Sequence, residues 1–462
     1  SVSLKIGART VQAGRPIRNG VILAAASFAT VLFGLAASKF WAVSVGPAGM
    51  GRASAFQSLI SLAAALIGLG LGSAVIKQGA ELAARPADPS FRLLVNAAWS
   101  LWRWSCLLGA VSVLVVGTCY RVWHHESIAL TTNDLFLFWA LLAMTASNLA
   151  QGIISASRRV KLQATYLAFG GLMGHLLSVP LVWNCGPSAI GLAVALNYSG
   201  IALVSLLLYR IIANQHTHAS SLADMRSSRA TLLQVGVPLA LSNLVGGGVQ
   251  TALPLLVVYQ IGDDGAGLLR AASLLAFQSV GFLMTGLSQD FFPRISEVRR
   301  DPAAIIAMLW KQFSLMIALA IMATASLTAL GPWLLKLCFS DQFTEATRLL
   351  DLLAIGMIFK MGSWCLAYVV LARCSSRTYL ITEGVTGLVW LSSSVVLMSV
   401  CGVNGIGYAF VLTYVIYFIL VSTIVSRNLQ SVLPWKMLLG SLAATAPVMG
   451  VIGLRSIFGA VL

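Results

Sequence analysis

Acidic side chains are scarce in this chain of 462 residues, with 14 Asp and Glu against 30 Lys and Arg and a net charge of +16. Charged residues of both signs make up only 10% of the sequence, against about 25% in ordinary globular domains, while 58% of it is apolar. In a soluble chain such a basic balance would point to nucleic acid. Here most basic residues stand in short loops between apolar runs, where they read as topology determinants rather than as a phosphate-tracking groove. A nucleic-acid partner and a soluble enzyme are both set aside. Cysteine is sparse too. The seven (106, 119, 185, 338, 365, 374 and 401) form no CxxC pair and have no His at zinc spacing, so neither a metal site nor a disulfide framework is indicated. They read as small apolar packing residues.

What the chain has in quantity is long apolar runs. The first, from about 20 to 45, follows Lys5, Arg9, Arg15 and Arg18 and exceeds the roughly 7 to 15 residues of a signal-peptide core, so it reads as a retained span. Ser1 in place of Met reads as a processed or trimmed start. A spanning helix needs about 20 mostly apolar residues. Twelve such runs are expected at 20 to 45, 53 to 76, 93 to 117, 134 to 156, 162 to 184, 188 to 210, 232 to 260, 266 to 291, 304 to 335, 346 to 372, 379 to 401 and 404 to 426. A thirteenth, 437 to 460, carries Arg455 and Pro447. With the N-terminus inside, the inner loops hold 21 of the 30 basic residues and the outer loops four, as the excess of Lys and Arg in cytoplasmic loops requires.

The fold class expected is an all-α polytopic membrane protein of two six-helix lobes. An N-terminal lobe (1–213) and a C-terminal lobe (232–429) are joined by a polar inner linker (214–231) and followed by an additional helix (430–462). His216 and His218 in the linker read as a solvated pair rather than as metal ligands. A faint repeat supports two equivalent halves. Gly46 to Gly51 lead into Ala55, Phe56, Gln57 and Ser58, and Gly262 to Gly267 lead into Ala276, Phe277, Gln278 and Ser279, at offsets of 216 and 221 residues. Six helices is an even number, so such halves would be parallel repeats about an axis along the membrane normal, with a substrate cavity between them.

Ionisable side chains inside spanning helices cost at least a few kcal/mol at the bilayer centre and are functional candidates by default. Most of those here are basic: Lys39, Arg103 between Trp102 and Trp104, Arg270 and Lys360, with His175 after Gly170, Gly171 and Gly174. For Lys39 and Arg270 the competing reading is snorkelling to the interface, for Arg103 and Lys360 a structural pair or lipid contact, and for His175 a hydrogen bond between helices. Asp290, Asp351 and Glu383 could each bind a coupling proton or sodium, or neutralise a nearby cation, which is the favoured reading. An excess of cations suits an anionic substrate, because guanidinium and ammonium groups bind phosphate oxygens strongly. Gln57, Asn243, Gln250 and Gln278 are neutral groups that could face sugar hydroxyls or bond helices together. Pro238, Gly246, Gly247, Gly248 and Pro254 weaken the seventh helix and mark a hinge.

The stretch from Ser38 to Gly51 (SKFWAVSVGPAGMG), then Phe56, Gln57, Val75 and Lys77, resembles the first hairpin of Wzx-type flippases. Within the multidrug/oligosaccharidyl-lipid/polysaccharide exporter superfamily it is most similar to O-antigen translocases and to the lipid III flippases of enterobacterial common antigen. The run Asp290, Phe291, Phe292, Pro293, Arg294, Ile295, Ser296 is similar to their eighth-helix exit. The resemblance implies a V-shaped pair of lobes in the bacterial inner membrane that alternates between inward and outward openings. Its cargo would be undecaprenyl-diphosphate-linked oligosaccharide, moved from the cytoplasmic to the periplasmic leaflet. Lys39 matches the family's first-helix lysine. The resemblance also implies a monomer, polysaccharide polymerase machinery and membrane lipids as partners, no cofactor, and a coupling ion of unspecified identity. The run after 436 departs from a twelve-helix plan, and some relatives carry two further helices. Two rival functions are a drug:cation antiporter, which would want carboxylates within the first lobe, and a membrane polysaccharide polymerase, which would want a large catalytic outer loop. The cluster His124, His125, Glu126 reads as a solvated loop.

Overall fold

A computed structural model describes residues 14–82, 89–123, 132–157, 159–213, 222–298, 300–374 and 376–459. Every regular element in them is helical: α1 (Gly14–Ile67), α2 (Leu71–Leu82), α3 (Pro89–Trp123), α4 (Thr132–Ala156), α5 (Val160–Cys185), α6 (Ile190–Ala213), α7 (Leu222–Gln260), α8 (Asp263–Glu297), α9 (Pro302–Cys338), α10 (Thr347–Arg373), α11 (Ser376–Cys401), α12 (Asn404–Leu429) and α13 (Leu433–Gly459). Helices are the natural outcome for such runs, because within lipid each backbone N–H and C=O must find its partner inside the segment. Among the described residues eight helical stretches are long and apolar enough to cross a membrane, or nine with the bent α7, and the chain is a multi-pass membrane protein. Two of the eight, Ala25–Ile67 (43 residues) and Val160–Ile212 (53 residues), are long enough for two crossings each.

The first hairpin differs from the expected pair of helices. Gly46 (φ 64°, ψ −170°) is the single non-helical residue inside α1, and Pro47 follows it, so one 54-residue element makes a sharp break where a loop was expected. The expected second span, 53 to 76, is itself interrupted. Leu69 and Gly70 take positive φ (52° and 61°), α1 stops at Ile67, and α2 restarts at Leu71. The glycine is required at 70 because a Cβ there would collide with the Gly236 carbonyl of α7.

Part of the expected linker is helical. Residues 222–231 form the first turns of α7, because Leu, Ala, Met and Arg are good helix formers even when polar neighbours keep them out of lipid. His216 and His218 lie outside the described residues, as do His124, His125 and Glu126. α7 bends by 52° between Met225–Val245 and Gly247–Gln260, at the glycine run. α9 starts cleanly: Asp301 accepts hydrogen bonds from the amides of Ala303 and Ala304, and Pro302 occupies the first helical position.

Packing follows small residues. Gly174 of α5 and Gly200 of α6 stand back to back with no room for a Cβ on Gly200, which draws the two helices into close contact. One large core runs through α1, α8, α9, α10 and α12, and a smaller one ties α2, α3 and α4 to Ile212 and Leu232. α13 packs on α9, α10 and α12. Six cysteines are free thiols, with Cys365 buried and Cys185 and Cys401 exposed; Cys119 lies outside the described side chains.

Candidate functional site

Arg270 of α8 faces a cavity of about 60 Å³ lined also by Ser54 and Gln57 of α1, His175 of α5 and Asn197 of α6, with Trp41 and Met50. The α5–α6 glycine contact explains part of this meeting, since it sets Asn197 Nδ2 3.3 Å from His175 Nδ1 and 3.5 Å from the Ser178 hydroxyl. An amide donor on Nδ1 leaves the ring proton to Nε2. No carboxylate lines this cavity, and among the described residues Arg270 has no ion-pair partner. The Arg270 guanidinium carries five N–H donors, and no acid lines its cavity.

Lys39 points elsewhere. Ala37, Ser38 and Trp41 on either side of it line the Arg270 cavity, but its own ammonium donates to the backbone carbonyl of Lys336, 2.9 Å away in the last turn of α9. A cation at a helix C-terminus meets both an open carbonyl and the negative end of the helix dipole. Nearby, Arg52 Nε lies 2.6 Å from Asp263 Oδ2, another link between α1 and the later helices.

Lys360 of α10 lies in a separate cavity of about 220 Å³ with Glu383, Trp364, Tyr368, Tyr379 and Tyr417. Its Nζ stands 5.3 Å from the Phe277 ring centre, 5.3 Å from that of Tyr414 and 5.9 Å from that of Phe410. The Tyr417 hydroxyl donates to Glu383 Oε1 at 2.8 Å. The chain thus places its own ammonium in an aromatic box beside a hydrogen-bonded carboxylate.

A third cavity, about 400 Å³, opens between α1, α2, α3, α4 and α7 and takes in Asn243. The remaining candidates are dispersed. Arg103 is on the exposed face of α3 next to Trp104, which is 64% exposed, and it lines none of these cavities. Gln250 and Gln278 are exposed on α7 and α8. Asp351 is paired with Arg455 of α13. Asp290 belongs to α8 but lies outside the described side chains. Ser54, Asn197, Asn148 and Gln151 are site-lining residues that sequence reasoning passed over, because a neutral polar group in an apolar run carries no signal of which way it faces. Among the described residues no group of three or more His, Cys, Asp or Glu could hold a metal ion.

No family model matches the chain. Among curated proteins it is 25% identical over 414 residues to the lipid III flippase of Escherichia coli (strain K12), covering 86% of this chain and 94% of that protein, and equally to the lipid III flippase of Shigella flexneri. The resemblance read from the first hairpin therefore extends over most of the chain. Among solved structures, the lipid II flippase MurJ in an inward closed conformation superposes with a TM-score of 0.67 at 12% identity, over 96% of this chain and 98% of that one. An inward-facing multidrug resistance MATE family transporter of the MOP superfamily gives 0.61 at 14% identity, over 87% and 95%. A MOP superfamily transporter from Pyrococcus furiosus gives 0.58 at 15% identity, over 90% and 97%. The fold is the all-helical one shared by MurJ and the MATE transporters. These relatives are flippases and transporters.

Proposed function

We propose that the chain flips undecaprenyl-diphosphate-linked oligosaccharide from the cytoplasmic to the periplasmic leaflet of the bacterial inner membrane by alternating access, with its N-terminus in the cytoplasm. The observation that carries this reading is the unpaired Arg270 in a cavity with no acid in its lining. Moving a diphosphate out of water is costly unless charge-assisted hydrogen bonds replace its hydration, and Arg270 supplies five donors, with Gln57, Ser54 and Asn197 beside it. The polyprenyl tail stays in lipid while the head group enters between the 1–213 and 232–429 lobes, and the bend in α7 at Gly246 to Gly248 is the element about which they rock. The 25% identity with lipid III flippases supports the same class of cargo. Lys360 and Glu383 are placed to respond to a coupling proton or sodium, and the protein works as a monomer that hands its product to polymerase machinery.

A drug:cation antiporter would use the same fold. The aromatic box that would hold a drug's ammonium is filled here by Lys360 itself, which favours the flippase. The test is to place purified protein in liposomes with labelled lipid-linked oligosaccharide and to follow accessibility of the sugar to an impermeant enzyme. Transfer that requires the protein and falls at least tenfold in Arg270→Ala, with an unchanged yield of folded protein, is expected. Uptake of a cationic dye under an ion gradient, with no lipid transfer, would replace this reading by the antiporter.

A further inference from the structure

The 400 Å³ cavity differs in chemistry from the two that hold Arg270 and Lys360. Its polar lining is amide and hydroxyl, chiefly Asn148, Gln151 and Asn243 with Ser73 and Ser155, and it includes no ionisable side chain. Its one aromatic residue, Trp102, is held in place by a hydrogen bond of 3.1 Å from Nε1 to the Thr145 hydroxyl. Its volume falls within the roughly 300 to 1,000 Å³ typical of ligand sites.

Two features make this space fit for a polar, uncharged occupant. Asn148 and Asn243 are exposed to the cavity and Gln151 partly so, and no hydrogen bond joins their side chains to another described residue, so all three amides are open to an occupant. The helix is also broken at this wall. The turn at Gly68 to Gly70 separates α1 from α2, and both of its glycines line the cavity. Discontinuous helices are the usual walls of transporter binding sites.

The cavity and the Arg270 site lie along one face of α1. Ser54 and Gln57 line the Arg270 cavity, while Ser61, Ala64, Ala65 and Gly68 line this one, a single face of α1 at helical spacing. Gln57 and Ser61 are one turn apart, about 6 Å along the helix axis.

We propose that this cavity is a subsite for uncharged sugar units of the substrate, next to the site where Arg270 holds the diphosphate. This rests on the flippase reading. Amides and hydroxyls exchange hydrogen bonds with sugar hydroxyls and acetamido groups without asking for charge, and an indole offers an apolar surface to a sugar ring. The charged and uncharged parts of one head group are then sorted into adjoining cavities of matching chemistry.

The experiment compares undecaprenyl diphosphate without sugar, with one N-acetylhexosamine, and with a neutral trisaccharide, using full-length protein in liposomes. Asn148→Leu and Gln151→Leu are expected to lower trisaccharide transfer about tenfold each, as for a lost hydrogen bond to a desolvated partner, and to leave transfer of the sugar-free lipid within twofold. Asn148→Gln should recover part of the loss. Equal losses for all three lipids, or no loss for any, would overturn the assignment in favour of a water-filled vestibule. A second measurement does not depend on transport. In an S155C variant, a lipid-free neutral trisaccharide should slow maleimide labelling at that position, read by peptide mass against the native cysteines. Protection in a protein that flips nothing would keep the sugar site while removing the flippase reading, and absence of protection would remove the sugar site.

Discussion

Gly51 lies against the backbone carbonyl of Asp263, and the converse contact, Gly267 against the carbonyl of Pro47, mirrors it. Both partners are displaced by 216 residues, the spacing that separates Gly46 from Gly262, each with positive φ. Patch i on j together with j on i is the signature of a two-fold contact, here within one chain. The faint sequence repeat therefore meets itself at the α1–α8 junction.

Neither position has space for a side chain, so Gly51→Val and Gly267→Val should each destabilise the protein by about 1–3 kcal/mol, as overpacking does. Thermal melting in detergent would show this as a drop of several degrees. Gly247→Ala, in open space on α7, should melt within a degree or two of the parent.

The Asp351–Arg455 pair fastens α13 to α10, and Arg455 Nη1 also donates to the Thr328 carbonyl of α9 at 2.7 Å. Removing one partner strands a mostly buried charge. Asp351→Leu or Arg455→Leu alone should cost about 3 kcal/mol, and the double variant much less than the sum. A double-mutant cycle on melting in detergent checks this.

Lys360→Met keeps the length of the side chain but loses its attraction to three rings, worth about 0.5–2 kcal/mol, and leaves Glu383 without its neighbouring cation. Transport should fall more than stability does. Lys360→Arg, which preserves charge over the rings, should retain more of both; liposome transfer and melting measured side by side separate the two effects.

Lys39→Ala should lower transport while the amount of folded protein stays constant, through loss of the α1–α9 link rather than of a ligand to the diphosphate. Apparent affinity for undecaprenyl diphosphate should therefore stay within twofold of the parent, whereas in Arg270→Ala it should weaken at least tenfold. Equal weakening in both variants would return Lys39 to the binding site.

Helix content and most helix positions were legible because apolar runs bounded by charge leave few alternatives. The interruption at Gly68 to Gly70 was not, since three residues of Gly-Leu-Gly in an apolar run read as packing until a second backbone is seen against them. Gln57, His175 and Arg270 were each visible as polar groups in spans, but their meeting depends on the α5–α6 and α1–α8 contacts, which no local pattern encodes. Arg103 shows the opposite case. Its charge and its depth in an expected span made it a candidate, while its flanking tryptophans equally fit an aromatic belt at the membrane interface, and the exposed face of α3 agrees with the latter.

The partner of Lys39 is a main-chain oxygen, and every amino acid brings one. Substitutions at position 336 that preserve the end of α9 leave the bond intact, so this half of the contact is free to drift in sequence while the other half is not. Related chains would then show a fixed cation opposite a variable residue and no covariation between the two positions. Selections for second-site suppressors of a Lys39 defect would return no compensating change at 336.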